Sequence, residues 1–290
     1  MTFWERYRVP LLLAPTMAVI LVLFVGGLGY GLAQSLGWNP RIGSTDLSLD
    51  AYTAIIAGEQ YAPAFWRGLL LSLWVSFAST ALSVVIAVAL ALAIRGTGPG
   101  KRLSVFLFQF NLPIPHIVAA IGILFVLSQS GLLSRGAAQL GIISTPSDFP
   151  LLVRDRFGLG IILAYLWKEV PFVGVIVLAV LQSLGSTYED VARNLGAGRW
   201  QRFRYVTLPL IAPALLSAGT LVFAFTFGAY EVPAVLGVRY PQALPVMALD
   251  FFNNADLNAR AEAMALSMII AAVTMTLVGL YMVLRRPGTT

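Results

Sequence analysis

The chain has 290 residues, of which 58% are hydrophobic and only 11% are charged, and it contains no cysteine. A soluble domain carries about 25% charged residues, so this composition excludes an ordinary soluble protein and leaves no room for a separate globular domain. Disulfides, thiol chemistry and cysteine metal sites are excluded as well. The net charge of +6 is explained better by basic residues that set membrane orientation than by a nucleic-acid partner.

Six apolar segments are long enough to cross a bilayer, whose hydrocarbon core takes about 20 helical residues. Their approximate limits are 9–33, 65–94, 103–128, 158–183, 206–235 and 261–284. The first segment is too long for a signal peptide and is not followed by a small-residue cleavage site before a soluble region. We therefore predict an all-α integral membrane protein with six transmembrane helices. Residues 1–290 are expected to form one domain with its core at 65–284.

Basic residues are unevenly shared between the two sides of the membrane when the N-terminus is placed in the cytoplasm. The inside segments carry Arg6, Arg8, Arg95, Lys101, Arg102, Arg193, Arg199, Arg202, Arg204, Arg285 and Arg286. The outside loops, although longer, carry only Arg41, Arg135, Arg154, Arg156, Arg239 and Arg260. The positive-inside rule therefore predicts that both termini and the 185–205 loop are cytoplasmic. The outside loops 34–64, 129–157 and 236–260 are either plain connectors or a docking surface for an extracytoplasmic partner.

The strongest polar interruption lies between the fourth and fifth spans. Ser186 and Glu189 have the spacing of a capping box, which satisfies free N–H groups at a helix start. The apolar residues that follow share one helix face: Tyr188, Val191, Ala192 and Leu195. Glycines at 196 and 198 end the pattern. The spacing predicts a short amphipathic helix over 187–195 that contacts something outside the membrane.

This segment resembles the cytoplasmic EAA loop of permease subunits of ABC-type importers. That loop reads Glu-Ala-Ala, three residues, Gly, nine residues and Ile-x-Leu-Pro. Here Asp190-Val191-Ala192 stands in the triplet, Gly196 is the glycine, and Val206-Thr207-Leu208-Pro209 follows after nine residues. Asp replaces Glu, Val replaces the first Ala, and Val replaces Ile. Because Glu189 adjoins Asp190, either acid could serve in coupling.

The resemblance implies an architecture and a set of partners. It implies a bacterial inner-membrane permease subunit that pairs with a second, identical or different, permease subunit. Two cytoplasmic ATPases and an extracytoplasmic solute-binding protein would complete the complex. The residues implied in ATPase coupling are Glu189, Asp190, Ala192, Gly196 and Pro209. ATP and Mg would bind the ATPases, so this chain is expected to hold no cofactor or metal and to be no enzyme.

Two further motifs favour structural explanations. The run Gly96-Thr97-Gly98-Pro99-Gly100-Lys101-Arg102 looks like a phosphate loop, but arginines stand at both ends of the pattern where Gly and Ser or Thr are required. His116 is the only histidine, and one histidine cannot make a metal site. A packing role for it is favoured over a proton relay. Pro113 and Pro115 are expected to bend the third span, because proline removes a backbone donor.

Charged residues inside the spans are candidates for the translocation path. Lys168 and Glu169 lie near the middle of the fourth span, and Glu231 lies near the outer end of the fifth. Such residues either line a polar path or make structural contacts with neighbouring helices. The runs Trp-Lys-Glu-x-Pro-Phe and Phe-Gly-Ala-Tyr-Glu-x-Pro resemble importer permeases for polyamines, ferric iron, thiamine or phosphonates. A carboxylate at position 231 would favour a cationic solute such as a polyamine.

Two other classes of protein remain open at this point. A membrane scaffold could use the 187–195 helix for docking, and an ion-coupled secondary transporter could use the buried carboxylates. The second class favours broken spans with several buried acids, and here only Glu169 and Glu231 qualify. Small residues at helix-packing spacing, Gly27 with Gly31 and Ser83 with Ala87 and Ala91, fit packing within the subunit as well as a subunit interface.

Overall fold

The computed structural model describes residues 3–94, 105–106, 108–185 and 187–284, and no β-strand occurs among them. The first helices are α1 (Phe3–Ser35), α2 (Asp50–Ala57), α3 (Ala62–Ile94), α4 (His116–Leu127) and α5 (Leu132–Gln139). Next come α6 (Leu159–Leu184), α7 (Thr187–Asn194) and α8 (Arg199–Arg202), then a π-helical turn (Phe203–Thr207). The chain continues as α9 (Leu208–Gly228), α10 (Glu231–Leu236), α11 (Leu244–Phe252) and α12 (Ala259–Leu284).

Within the described ranges, six helical stretches are long and apolar enough to cross a membrane. They are Arg8–Ser35, Ala62–Ile94, His116–Gln139, Leu159–Leu184, Arg199–Gly228 and Ala259–Val283. Helices satisfy their own backbone hydrogen bonds, which is why they can span a medium that offers none. The predicted fold class and number of spans are confirmed. The phosphate-loop-like run at 96–102 and Ser186 of the predicted capping box lie outside the described residues.

The third span begins later than predicted. The sequence predicted one bent helix over 103–128, whereas residues 110–115 form turns and α4 starts at His116, directly after Pro115. Proline cannot donate a helical hydrogen bond, and it pushes the preceding residue away from helical geometry. Leu112 and Ile114 both precede a proline. The two prolines therefore interrupt the helix instead of bending it.

The fifth span is shifted towards the N-terminus of its predicted range. It was predicted over 206–235, but the helical stretch runs from Arg199 to Gly228. Ala229 is extended, and the separate helix α10 begins at Glu231. Glu231 is therefore the first residue of a short helix beyond the span, and not a residue within it.

One compact unit of the fold combines Met1–Phe65 with Met247–Ile270. Gly31 of α1 is buried there, and a Cβ at this position would stand 3.2 Å from Cε of Met268. Gly27 has open space around it, so only one of the two small residues is needed for packing in this chain. Most of the apolar side chains along α1 are exposed, as a helix in contact with lipid requires.

The other compact unit combines Trp66–Val246 with Ala271–Thr290. One part of its core joins α3, α6 and α9, where Ala87 and Ala91 pack with Val173, Val177 and Ile211. Small side chains let helix backbones approach closely within a membrane. Ser83, Ala87 and Ala91 are all fully buried, so this small-residue stripe serves packing inside the chain.

A second part of the same core lies around α4, α6 and α10. Tyr165 and Ile161 of α6 pack there with Ala120 of α4 and with Val232 and Leu236 of α10. The two core clusters together bury one side of α6 along most of its length. This helix is consequently the central element of the unit, and it carries the two charged residues at positions 168 and 169.

Candidate functional site

The helix predicted over 187–195 is observed as α7, which ends at Asn194. Gly196 follows it with φ +83°, a left-handed conformation that favours glycine. Its N–H donates to the carbonyl of Arg193 at 3.0 Å, and the N–H of Ala197 donates to the carbonyl of Ala192 at the same distance. These bonds satisfy carbonyls at the helix end, so the glycine of the motif acts as a helix stop.

The two neighbouring acids of α7 have different partners. Oε1 of Glu189 accepts a hydrogen bond of 2.7 Å from the hydroxyl of Thr207, a buried residue in the π-helical turn before α9. Asp190 instead forms a 2.7 Å ion pair with Arg193, one turn along its own helix and half-exposed to solvent. Glu189 therefore connects α7 to the base of the fifth span, whereas Asp190 makes its contact within α7.

The apolar face of α7 points away from the protein. Tyr188 is 57% exposed and Val191 55%, while Ala192 is partly buried. Leu195, directly after the last residue of α7, continues this face and is 83% exposed. Trp200 of α8 is also largely exposed. An amphipathic helix on a protein surface normally turns its apolar stripe inward. A contiguous apolar face that is left outside marks an interaction site.

Pro209 stands in the first turn of α9, directly after the π-helical turn Phe203–Thr207. Proline has no N–H, so it cannot donate to the carbonyl of Tyr205 four residues earlier. Wide turns of this kind accommodate such interruptions within a longer helix. The helical stretch therefore continues unbroken from Arg199 to Gly228, and its inner face packs on α6 through Ile211 and Leu215.

Lys168 lies deep in the second compact unit and is only 4% exposed. Its ammonium nitrogen donates to the carbonyls of Asn111, Leu112 and Ile114 at 2.8, 3.3 and 2.6 Å. The side-chain amide of Asn111 donates in return to the carbonyl of Trp167. The carbonyl of Asn111 also accepts from the N–H of Ile114 at 3.1 Å. The interruption of the third span leaves the other two carbonyls without helical partners, and the lysine supplies their donor.

Glu169 is 5% exposed and has a separate partner from Lys168. Its Oε1 lies 3.1 Å from Nε2 of His116, the first residue of α4. The imidazole ring also packs against Phe225 of α9, with ring centroids 4.6 Å apart. The single histidine therefore joins three spans by one polar and one aromatic contact, in keeping with the predicted packing role.

The side chains of both Lys168 and Glu169 face the interior of the bundle. Glu231 differs, because it is half-buried and begins α10, which packs against α4 and α6. No ion pair involves Glu231 within the described part of the chain. The structure thus joins 168 and 169 in one cluster with His116, and it places 231 at a helix start outside that cluster.

Sequence reasoning missed two residues that complete these sites, Asn111 and Thr207. Asn111 carried a usable signal, since it is a polar residue inside an apolar run just before two prolines. Thr207 occupies the variable position of the Ile-x-Leu-Pro motif, so the motif does not identify it as a functional residue. Its contact with Glu189 joins residues 18 positions apart, which only the folded chain reveals.

Comparison with known proteins identifies a family and several relatives to which this chain is similar. The family described as "Binding-protein-dependent transport system inner membrane component" matches residues 6–285. The Escherichia coli inner membrane ABC transporter permease protein YnjC is 27% identical over 78% of this chain and 42% of its own length. The putative 2-aminoethylphosphonate transport system permease protein PhnV of Salmonella typhimurium is 30% identical over 74% of this chain and 72% of its own length. The E. coli sulfate transport system permease protein CysT is 33% identical over 41% of this chain and 43% of its own length.

Solved structures show the same fold at lower sequence identity. A chain from a bacterial ABC transporter involved in import of the acidic polysaccharide alginate matches with a TM-score of 0.79 at 19% identity, covering 99% of both chains. A chain of the MetNI methionine ABC transporter matches with a TM-score of 0.57 at 18% identity, over 79% of this chain and 99% of that one. The family match covers nearly the whole chain, and the described residues contain six candidate spans and the exposed helix α7. The chain therefore belongs to the family of inner membrane components of binding-protein-dependent transport systems.

Proposed function

We propose that this chain is the permease subunit of an ATP-driven importer that moves a small solute across the cytoplasmic membrane by alternating access. The observation that carries the proposal is the apolar face of α7, which is exposed where a second protein can cover it. ATP hydrolysis belongs to separate ATPase subunits, so this chain transmits movement and is not a catalyst. Family membership and fold support the assignment.

The coupling pathway begins where α7 sits in a groove of a cytoplasmic ATPase. Closure of the ATPases moves α7, and the Glu189–Thr207 hydrogen bond carries that movement to the base of the fifth span. The continuous helical stretch Arg199–Gly228 then shifts against α6. ATP binding in this scheme changes the relative population of two packings of the spans.

The complete transporter contains a second permease subunit, two ATPases and an extracytoplasmic solute-binding protein. Both termini and α7 are cytoplasmic in this proposal, as the distribution of Arg and Lys predicts. Reporter proteins fused after Arg286 should behave as cytoplasmic, and fusions near Asn39 or Ser147 as external. The reverse behaviour at any of these three points would contradict the proposed topology.

Two solute classes compete. The carboxylate of Glu231 favours a small cation such as a polyamine, because an anion would be repelled there. The names of two relatives favour an oxyanion instead, since these proteins belong to sulfate and 2-aminoethylphosphonate transport systems. Uptake by a Glu231 variant, described in the Discussion, separates these possibilities.

The test of coupling introduces a charge into the apolar face of α7. Leu195→Asp should leave membrane insertion intact and lower solute-stimulated ATPase activity and uptake by about tenfold or more, because a buried unpaired carboxylate at the interface is costly. Asn194→Asp is the matched control, since it places the same residue beside the apolar stripe. Wild-type coupling by Leu195→Asp in the purified complex would refute the docking role of this face.

A further inference from the structure

A cavity of about 260 Å³ lies within the first compact unit, between the segment that follows α1 and the start of α12. Its polar lining includes Gln34, Asn39, Asp50, Asn258, Arg260 and Glu262. None of the residues proposed for ATPase coupling or for the translocation path contributes to it. Because it lies where the first span ends and the last span begins, the predicted topology places it on the extracytoplasmic side of the membrane.

Three polar atoms of the lining residues are buried and have no hydrogen-bond partner within the described part of the chain. They are Oδ1 of Asn39, Nε of Arg260 and Oε2 of Glu262. Buried polar groups in folded proteins almost always have a partner, because an unpaired group loses its hydration without compensation. Three such atoms on residues that line one cavity leave hydrogen-bonding capacity that a polar ligand could use once the side chains turn towards it.

The unpaired atoms define the chemistry of the occupant. Asn39 and Glu262 offer two acceptors, and Arg260 offers one donor. Arg260 and Glu262 do not form an ion pair with each other among the described residues, and the guanidinium of Arg260 lies 5.2 Å from the ring centroid of Phe252. Asp50 adds a second carboxylate at the exposed side of the cavity. Two carboxylates against one guanidinium favour a ligand that carries positive charge.

We propose that this cavity binds a small primary amine that also carries a hydroxyl or carboxylate oxygen, such as an amino alcohol or an amino acid. The ammonium group donates to Oδ1 of Asn39 and Oε2 of Glu262, and the ligand oxygen accepts from Nε of Arg260. All three atoms are buried, so binding requires rotation of the Asn39, Arg260 and Glu262 side chains towards the cavity. The site stands independently of the transport proposal, because it concerns binding to this subunit and needs no coupling.

Water is the competing occupant. The cavity volume equals that of several water molecules, at about 30 Å³ each, and waters could satisfy the three hydrogen bonds. Water would not compensate the excess negative charge of the lining, whereas an ammonium group would. The experiment must therefore distinguish a saturable ligand from solvent.

The test measures binding to the full-length permease in lipid nanodiscs by calorimetry, with ethanolamine and β-alanine as probes. Ethylene glycol lacks the ammonium group and ethylamine lacks the oxygen, so both should bind more weakly. Glu262→Gln should weaken binding of the two probes by about tenfold or more, since it removes a charge-assisted hydrogen bond. Glu59→Gln, an exposed carboxylate in the same unit that does not line the cavity, should leave binding unchanged.

A second variant keeps the proposal testable if Glu262→Gln folds poorly. Asn39→Asp preserves the side-chain shape and adds a carboxylate, so it should tighten binding of ethanolamine. Absence of saturable binding by either probe would show that the cavity holds water only. Binding that is unchanged by both Glu262→Gln and Asn39→Asp would also overturn the site.

Discussion

The surface helix α7 and the cluster around Lys168 are both polar interruptions of an apolar chain, yet they are built in opposite ways. In α7 the apolar side chains Tyr188 and Leu195 are exposed. In the cluster the charged side chains are buried, and each has a partner: three carbonyls for Lys168 and His116 for Glu169. Exposure of the apolar side chains, and not the polarity of the segment, distinguishes the proposed docking surface from an interior contact between spans.

The physical reason differs between the two regions. A charge within the hydrocarbon region is expensive unless it is paired, so the cluster must complete its hydrogen bonds inside this chain. The face of α7 lies in water in the isolated subunit, where exposed apolar groups are tolerated until a partner covers them.

Removing the buried cation should produce the largest loss. Lys168→Met leaves the carbonyls of Leu112 and Ile114 without their donor and removes one of two donors to that of Asn111, which we expect to cost about 3 kcal/mol of stability. Glu169→Gln keeps a hydrogen-bonding group opposite His116 and should cost much less. Thermal unfolding of the purified subunit in detergent measures both. Equal stability of the two variants would show that Lys168 is no more important for stability than the charge of Glu169.

The two acids of α7 should be unequal in coupling. Glu189→Ala breaks the link to Thr207, a bond of about 1 kcal/mol, and should lower the ratio of uptake to ATP hydrolysed about fivefold. Asp190→Ala breaks a solvent-exposed pair with Arg193, which contributes about 0.5 kcal/mol or less, and should change this ratio little. Thr207→Val should reproduce the effect of Glu189→Ala, and the double variant should add nothing. A larger effect of Asp190→Ala would assign coupling to the other acid.

Glu231→Gln should have the smallest effect on uptake, and the direction of that effect should depend on the charge of the solute. If the solute is a cation, uptake normalised to assembled complex should fall by a few fold, because the variant removes an attraction near the end of the path. An oxyanion solute should be taken up as well or better by the same variant. Unchanged normalised uptake of every solute tested, or a loss explained entirely by poor assembly, would make Glu231 a structural residue.

Much of the fold followed from local sequence properties. Runs of about 20 apolar residues predicted all six spans because hydrocarbon thickness fixes helix length. The short helix α7 and its glycine stop followed from a 3.6-residue period and from the φ requirement at Gly196. The limits of the third and fifth spans were harder to place. Pro113 and Pro115 interrupt the helix of the third span completely, and Ala229 separates α10 from the helix of the fifth span.

The class of this protein, its six spans and the position of α7 could be predicted because each depends on composition and spacing along one segment. The contacts of the polar residues are visible only in the folded chain. The Glu189–Thr207 bond, the three carbonyls around Lys168 and the His116–Glu169 pair join residues that are 18 to 57 positions apart. The choice of partner depends on which helices pack together and how far each is rotated, and no local pattern records that geometry.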